Sequence, residues 1–194
     1  VPDVIAIDSG GHFTNEVYAY TRDRRKHNVI AIKGSSQKNQ LPISRGKKLD
    51  LNWKGKTIKK GAELFSVGTD TIKTTLFSRL RHNEDGAGYL HFNINADEEY
   101  FKQLTAEKQV IRYVKGFPVR EWVKKSSARN EALDTLVYAY AALYRLYQKR
   151  DRRTIWDNYE ERGRIKGKIK DDKTYLDKVR YKQKAQKPKF VSQW

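Results

Sequence analysis

The sequence predicts an α/β domain, and three stretches carry that prediction. Two short apolar runs, Val4-Ile5-Ala6-Ile7 and Val29-Ile30-Ala31-Ile32, bracket a helical segment. A long amphipathic helix follows near the middle of the chain, from Arg129 to Tyr147.

Each apolar run is too short for a helix and too continuous for a half-exposed strand, so each reads as a buried strand. The first stops at Asp8-Ser9-Gly10-Gly11, a sharp turn. Between the strands, residues 14–24 place Val17, Tyr18 and Tyr20 at helical spacing, with Thr14 as the expected cap and Glu16 in the first turn. Strand, helix, strand makes one βαβ unit, whose strands are parallel by the usual handedness. Residues 34–61 are rich in Lys, Ser, Gln and Gly and read as a mobile loop, with one strand around Leu51–Trp53. A further strand is expected at Leu64–Val67, then a helix over residues 69–81 with Ile72, Leu76, Phe77 and Leu80 inward. A turn at residues 83–88, a helix at 98–108 and a hairpin around Lys115-Gly116-Phe117-Pro118 complete the middle of the chain. The helix from Arg129 carries Leu133, Leu136, Val137, Tyr140, Leu143, Tyr144 and Tyr147 on one stripe. Beyond it aliphatic residues thin out: residues 150–194 hold 15 Lys+Arg against 7 Asp+Glu. The expected organisation is therefore a domain over residues 1–148 and a basic tail over 149–194.

Composition narrows the partners. With 41 Lys+Arg against 23 Asp+Glu in 194 residues, the formal net charge is +18. Such an excess favours a polyanion, because each cation that neutralises a phosphate releases a condensed counterion. The absence of cysteine excludes disulfides and cysteine-ligated zinc and suits a reducing cytosol. No apolar run approaches the roughly 20 residues of a membrane span. The four histidines, His12, His27, His82 and His91, lack metal-ligand spacing. The glycines form no P-loop, and Ser9 has no triad partners in sequence.

Two aspartates remain as chemistry-bearing candidates. Asp8 closes a buried strand at its carboxyl end, the edge on which open α/β sheets carry their sites. An aspartate before two glycines also serves as an ordinary turn residue, and spacing alone does not separate these roles. Asp134 lies within the most apolar helix, beside Leu133, Leu136 and Val137. A carboxylate there is costly unless paired or metal-bound, or unless the first turns of the helix are partly exposed. Two such carboxylates on a strongly basic chain suggest Mg²⁺ or Mn²⁺ acting on phosphodiesters, since aspartate offers hard, charged oxygens on a short side chain. Asp70 and Lys73 are possible supporting residues: Asp70 falls at a helix start, and Lys73 one turn later is placed to reach a phosphate. Backbone contacts with DNA are expected from Lys33, Lys38, Arg45, Lys47 and Lys48 in the long loop, and from Arg129.

Five ordered runs add a resemblance. Ala6-Ile7-Asp8-Ser9-Gly10-Gly11, Ala31-Ile32-Lys33-Gly34, Val67-Gly68-Thr69-Asp70-Thr71-Ile72-Lys73, Gln103-Leu104-Thr105-Ala106-Glu107 and Arg129-Asn130-Glu131-Ala132-Leu133-Asp134 closely resemble the nuclease region of lambda-type terminase large subunits, the GpA family. The resemblance covers residues 3–147. It implies an RNase H-like fold of the resolvase and terminase type, and an endonuclease that cuts concatemeric viral DNA during packaging. It further implies a two-metal Mg²⁺ or Mn²⁺ site in the complete domain, with Asp8 as the fourth-strand carboxylate and Asp134 as the late-helix one. The first carboxylate belongs to antiparallel strands upstream of the βαβ unit. Those strands are expected to be missing from this chain, so that it alone cuts poorly or not at all. The implied partners are double-stranded DNA, a small terminase subunit and the portal or procapsid, all in the host cytoplasm. The alternative is a non-catalytic module that binds DNA or docks on the portal and keeps the fold without the reaction.

Overall fold

The computed structural model describes residues 2–165. Among these, residues up to Lys149 form one compact unit, and residues 150–165 belong to a second. In the first unit the opening βαβ is as the sequence predicts. β1 (Ile5–Asp8) and β2 (Val29–Ser35) run parallel with Asp8 opposite Ile32, and α1 (Thr14–Asp23) makes the crossover. Thr14 does not cap α1 as expected. It is the first helical residue, and its hydroxyl donates instead to the carbonyls of Ser9 and Gly11, both at 2.9 Å, fastening the turn that follows Asp8.

The stretch read as a mobile loop is largely strand. β3 (Lys47–Trp53) and β4 (Lys56–Gly68) form an antiparallel hairpin, and β4 lies parallel to β2, giving the sheet order β1-β2-β4-β3. Lys54 and Gly55 turn the hairpin with φ of 50° and 74°, the left-handed pair that suits the twist of its strands. A bulge between Leu49 and Leu51 is held by the Asp50 carboxylate, which accepts the Lys60 amide at 2.8 Å. Residues 40–44 are also tied down. Ser44 exchanges hydrogen bonds with Ser66 at 2.8 Å, Ile43 bridges to Val67, and the Gly68 amide donates to the Pro42 carbonyl.

Two helical layers cover the sheet. Alternation along β2 sends Ile30 and Ile32 to one face and Val29 and Ala31 to the other. On the first face Ile32, Phe65 and Val67 pack with Ile72 and Leu76 of α2 (Thr69–Arg79) and with Leu133, Val137 and Ala141 of α4 (Glu131–Lys149). On the second, Tyr18 and Ala19 of α1 pack over Ala31, Leu51 and Ala62, small sheet residues that let the helix approach. The helix expected at 98–108 is shorter: α3 (Glu98–Leu104) starts on Asp97, whose carboxylate accepts the Tyr100 amide at 2.8 Å, and it ends at Thr105. Glu107 then opens β5 (Glu107–Val114), which pairs only with β6 (Phe117–Lys124) in a separate two-stranded ribbon. The β-branched run from Val110 wins the segment back from the helix.

Part of the predicted tail, Ile155–Ile165, is a helix, α5, within the second unit. The Lys182–Lys189 run lies outside the described residues. No helix among the described residues is long and apolar enough to cross a membrane.

Gly68 closes β4 and precedes α2 where the chain is tightest. A Cβ there would stand 2.5 Å from the Leu41 carbonyl oxygen and 2.6 Å from that of Gln40. Because both obstacles are backbone, Gly68→Ala is expected to destabilise the fold by about 1–3 kcal/mol, seen as a lower denaturant midpoint at unchanged slope.

Candidate active site

The carboxyl ends of β1, β2 and β4 share one edge, and α2 and α4 begin beside it. β1 delivers Asp8 there. Ser9 anchors the turn by donating both its amide and its hydroxyl to the Ile32 carbonyl, each at 2.8 Å. The Gly10 amide donates to Asp8 Oδ1 at 2.9 Å, so the carboxylate is oriented by its own turn and remains exposed. A Cβ at Gly10 would fall 3.2 Å from that oxygen, which favours glycine at the position.

α4 supplies the facing groups. Tyr138, one turn after Asp134, is half-buried, with its hydroxyl against Gly34 of β2 and close enough to Asp8 to feel its charge. Its phenol is pushed up to about 12, first by burial and then by the charges of Asp8 and Asp134. One hydroxyl therefore senses both aspartates, and it stays a donor throughout the ordinary pH range. Gly34 makes room for it: a Cβ on Gly34 would sit 3.2 Å from the Tyr138 oxygen.

Behind Asp134 stands a polar network that joins α2, β5 and α4. The Lys73 ammonium lies 2.8 and 2.9 Å from the two oxygens of Glu107 and 3.7 Å from Asp134 Oδ1, close enough for an ion pair with the latter. Asn130, whose carbonyl accepts the Asp134 amide at the start of α4, donates its side-chain amide to Glu107 at 2.8 Å and to Asp134 Oδ2 at 3.1 Å. Glu107 is only 7% exposed, and Lys73 13%. Asp134 is half-exposed and is held above the usual aspartate value. Burial is the main cause; the Lys73 charge opposes it, and the Glu107 charge adds to it. Sequence reasoning passed over Glu107 and Asn130 as site residues. Both lie in runs that carry the family resemblance, and these runs touch, since Gln103 also accepts the Ala132 amide at 3.3 Å.

The other expected residues divide. Lys73 joins the Asp134 network, whereas Asp70, in the first turn of α2, does not. Lys33 is exposed, one residue beyond the position opposite Asp8. Lys38 is exposed and donates to the Arg120 carbonyl of β6. Arg129 pairs with Glu131 at 3.3 Å. Arg45, Lys47 and Lys48 are exposed around the start of β3, with Lys47 opposite Leu64 and Lys48 opposite Glu63. With β2 and β4 between β3 and β1, three strand spacings of about 4.8 Å separate them from Asp8. The expected basic residues thus do not form one cluster.

A family model described as the terminase large subunit gpA endonuclease domain matches residues 1–155. The chain belongs to this family. It is 36% identical over 146 residues to the terminase large subunit of Escherichia phage lambda, a match covering 72% of the chain and 21% of that relative. To the terminase large subunit of Enterobacteria phage P21 it is 34% identical over 144 residues, 70% of the chain and again 21% of the relative. The chain thus spans about a fifth of the length of the relatives it matches. No solved structure matches it.

The raised Asp134 carboxyl has a consequence for stability. A carboxylate whose value is higher in the folded state than in the unfolded one costs stability when ionised, and the cost vanishes below the unfolded value. Asp134→Asn is therefore expected to raise the unfolding midpoint at pH 7. The gain should shrink as pH falls through the raised value and be gone below about 3.8, as thermal melts across pH would show.

Proposed function

We propose that this chain is the metal-dependent endonuclease region of a phage DNA-packaging terminase, with Asp8 and Asp134 as metal ligands. The reading rests above all on Asp8 at the carboxyl edge of a parallel sheet, beside the start of α4, where Asp134 is held by Lys73 and Asn130, in a chain of net charge +18.

The residues present fit a divalent ion in part. Asp8 and Asp134 offer the hard carboxylate oxygens that Mg²⁺ or Mn²⁺ prefers. Both oxygens of Glu107 are already engaged by Lys73, and among the described residues no group of three acidic, histidine or cysteine side chains converges on a metal position. A third carboxylate fits best on a strand added beside β1, an outer strand of the sheet. An RNase H-like arrangement of the complete domain would be consistent with that placement. When bound, the ion would activate water and stabilise the leaving oxygen of a phosphodiester. The chain's own groups do the positioning: the Gly10 amide donates to Asp8 and orients it, and the Asn130 amide does the same for Asp134. Lys73, clamped by Glu107, holds a positive charge beside Asp134 where a scissile phosphate would bring its anionic oxygens. Double-stranded viral DNA would be the substrate, with a small subunit and the portal or procapsid as packaging partners in the host cytoplasm.

The count of two candidate ligand carboxylates favours a second reading for this chain by itself, a DNA-binding or portal-docking module that does not cut. A supercoiled-plasmid nicking assay with Mn²⁺ separates the two readings. It compares this chain with a form extended upstream by about one hundred residues, room for several strands and their turns. Cutting is expected in the extended form, abolished by Asp134→Ala, and weak or absent in the shorter chain. Failure of the extended form to cut would leave the docking module. In the extended form Glu107→Gln is expected to slow nicking about 10–100-fold, as loss of a group that orients a ligand does elsewhere.

A further inference from the structure

We propose that the β5–β6 ribbon is a finger that enters a groove of duplex DNA beside the catalytic edge, held at its root by the Glu107 network. The inference rests on the reading of the chain as a DNA-acting domain and adds to it a contact element that lies outside the basic loop expected from sequence.

The ribbon is built to project. Its strands pair with each other over eight positions, from Glu107 opposite Lys124 to Val114 opposite Phe117, and with no other strand. At about 3.3 Å per residue that is a ribbon some 26 Å long. Its anchors are near the base and middle. Glu107 is locked to Lys73 and Asn130, Trp122 packs against Phe77 of α2 with ring centroids 4.7 Å apart and planes tilted by 45°, and Lys38 donates to the Arg120 carbonyl. Beyond these, among the described residues, the ribbon is exposed over residues 111–118 and turns tightly through Lys115 and Gly116, with φ of 51° and 83°.

Its outer half is apolar and basic at once. Tyr113 is 75% exposed and Phe117 74%, with Ile111 and Val114 also exposed. Large apolar side chains left in water mark a contact surface. What they contact is indicated by the charge. Residues 107–124 carry five Lys or Arg and two Glu, and both glutamates are paired, Glu107 with Lys73 and Glu121 with Arg112 at 3.3 Å. The pairing register distributes these groups over both faces. Ile111, Tyr113 and Arg120 share one face, and Arg112, Val114 and Phe117 share the other. A protein-docking strand would present one apolar face and one solvated face. Arg112 is taken up by Glu121, but Lys108 on its face, Arg120 on the other and Lys115 at the tip are exposed cations, which suit an element flanked by phosphates on either side. The major groove of B-DNA, about 12 Å wide, admits a two-stranded ribbon, and its edges are lined by the two backbones. Apolar side chains at the tip then meet base edges and methyl groups.

The test measures binding, without cleavage. A fluorescent 30-base-pair duplex is titrated in EDTA, at salt concentrations from about 50 to 200 mM, with the intact chain, the double variant Tyr113→Ala/Phe117→Ala and the double variant Lys115→Ala/Arg120→Ala. The aromatic pair is expected to weaken binding about tenfold. The basic pair is expected to lower the slope of log K against log salt by about 2, close to 0.9 for each phosphate that is no longer neutralised. Since the chain has no cysteine, Lys115→Cys also gives a single attachment point. It is expected to form a disulfide with a thiol tethered in the duplex groove, and Asp23→Cys at the end of α1 is expected not to. Unchanged affinity and slope in both double variants, or cross-linking no faster from Lys115→Cys than from Asp23→Cys, would overturn the finger. The nuclease reading would survive that result, and it is tested separately by Asp134→Ala, which should still bind the duplex.

Discussion

Glu107 is a nearly fully buried carboxylate, and an uncompensated charge in that position would cost several kcal/mol. Its compensation comes from two directions: the Lys73 ammonium from α2 and the Asn130 amide from the start of α4. Three chain segments that share no strand pairing are thereby fixed relative to one another. The start of α4 determines where Asp134 and Tyr138 stand, and Tyr138 in turn sets its hydroxyl against Gly34 of β2. The root of the β5–β6 ribbon is set by the same contact. A hydrophobic pair of equal volume in place of Lys73 and Glu107 would serve the core as well or better. It would leave Asp134 without a neighbouring cation and Asn130 without its second acceptor.

The layers around the sheet explain how a short edge can hold this chemistry. α1 approaches one face closely over Ala31 and Ala62, while larger residues, Ile32, Phe65 and Val67, fill the space below α2 and α4. The aromatic and aliphatic bulk on the α4 side keeps the lower part of that helix dry. Its first turn emerges at the edge, which is why Asp134 is half-exposed while Leu133 and Val137 on either side are fully buried. The partial burial that raises the Asp134 carboxyl is thus a direct result of where the helix leaves the core.

The βαβ unit and α4 were legible in the sequence because local pattern determines them. Parallel strands covered on both faces read as unbroken apolar runs, and a long helix repeats its stripe over five turns. The β3–β4 hairpin was less legible, although Leu49, Leu51 and Trp53 do alternate. Lysines on the solvated positions outweighed that alternation, and a Lys-Gly turn is a weaker hairpin signal than Asn-Gly or Asp-Gly. Glu107 escaped for a different reason. Its burial depends on Lys73, 34 positions earlier, and Asn130, 23 later, and no window of sequence contains both. A glutamate placed after Leu104 and before Val110, between two apolar neighbourhoods, was the local sign available. The basic residues show the converse limit: proximity along the loop suggested a single patch, but the hairpin carries Lys47 and Lys48 to the far strand.

The two rims of the sheet are unequal. The β3 rim bears Lys47 and Lys48 and a bulge that disrupts its ladder, the common protections against strand-to-strand association. The β1 rim has neither: its residues before Asp8 are Ile5, Ala6 and Ile7, and Ile5 is 37% exposed. Among the described residues no strand lies on its outer side, and its length is four residues. High net charge keeps copies apart at low salt, and screening that repulsion leaves the β1 rim as the first place where chains would stick.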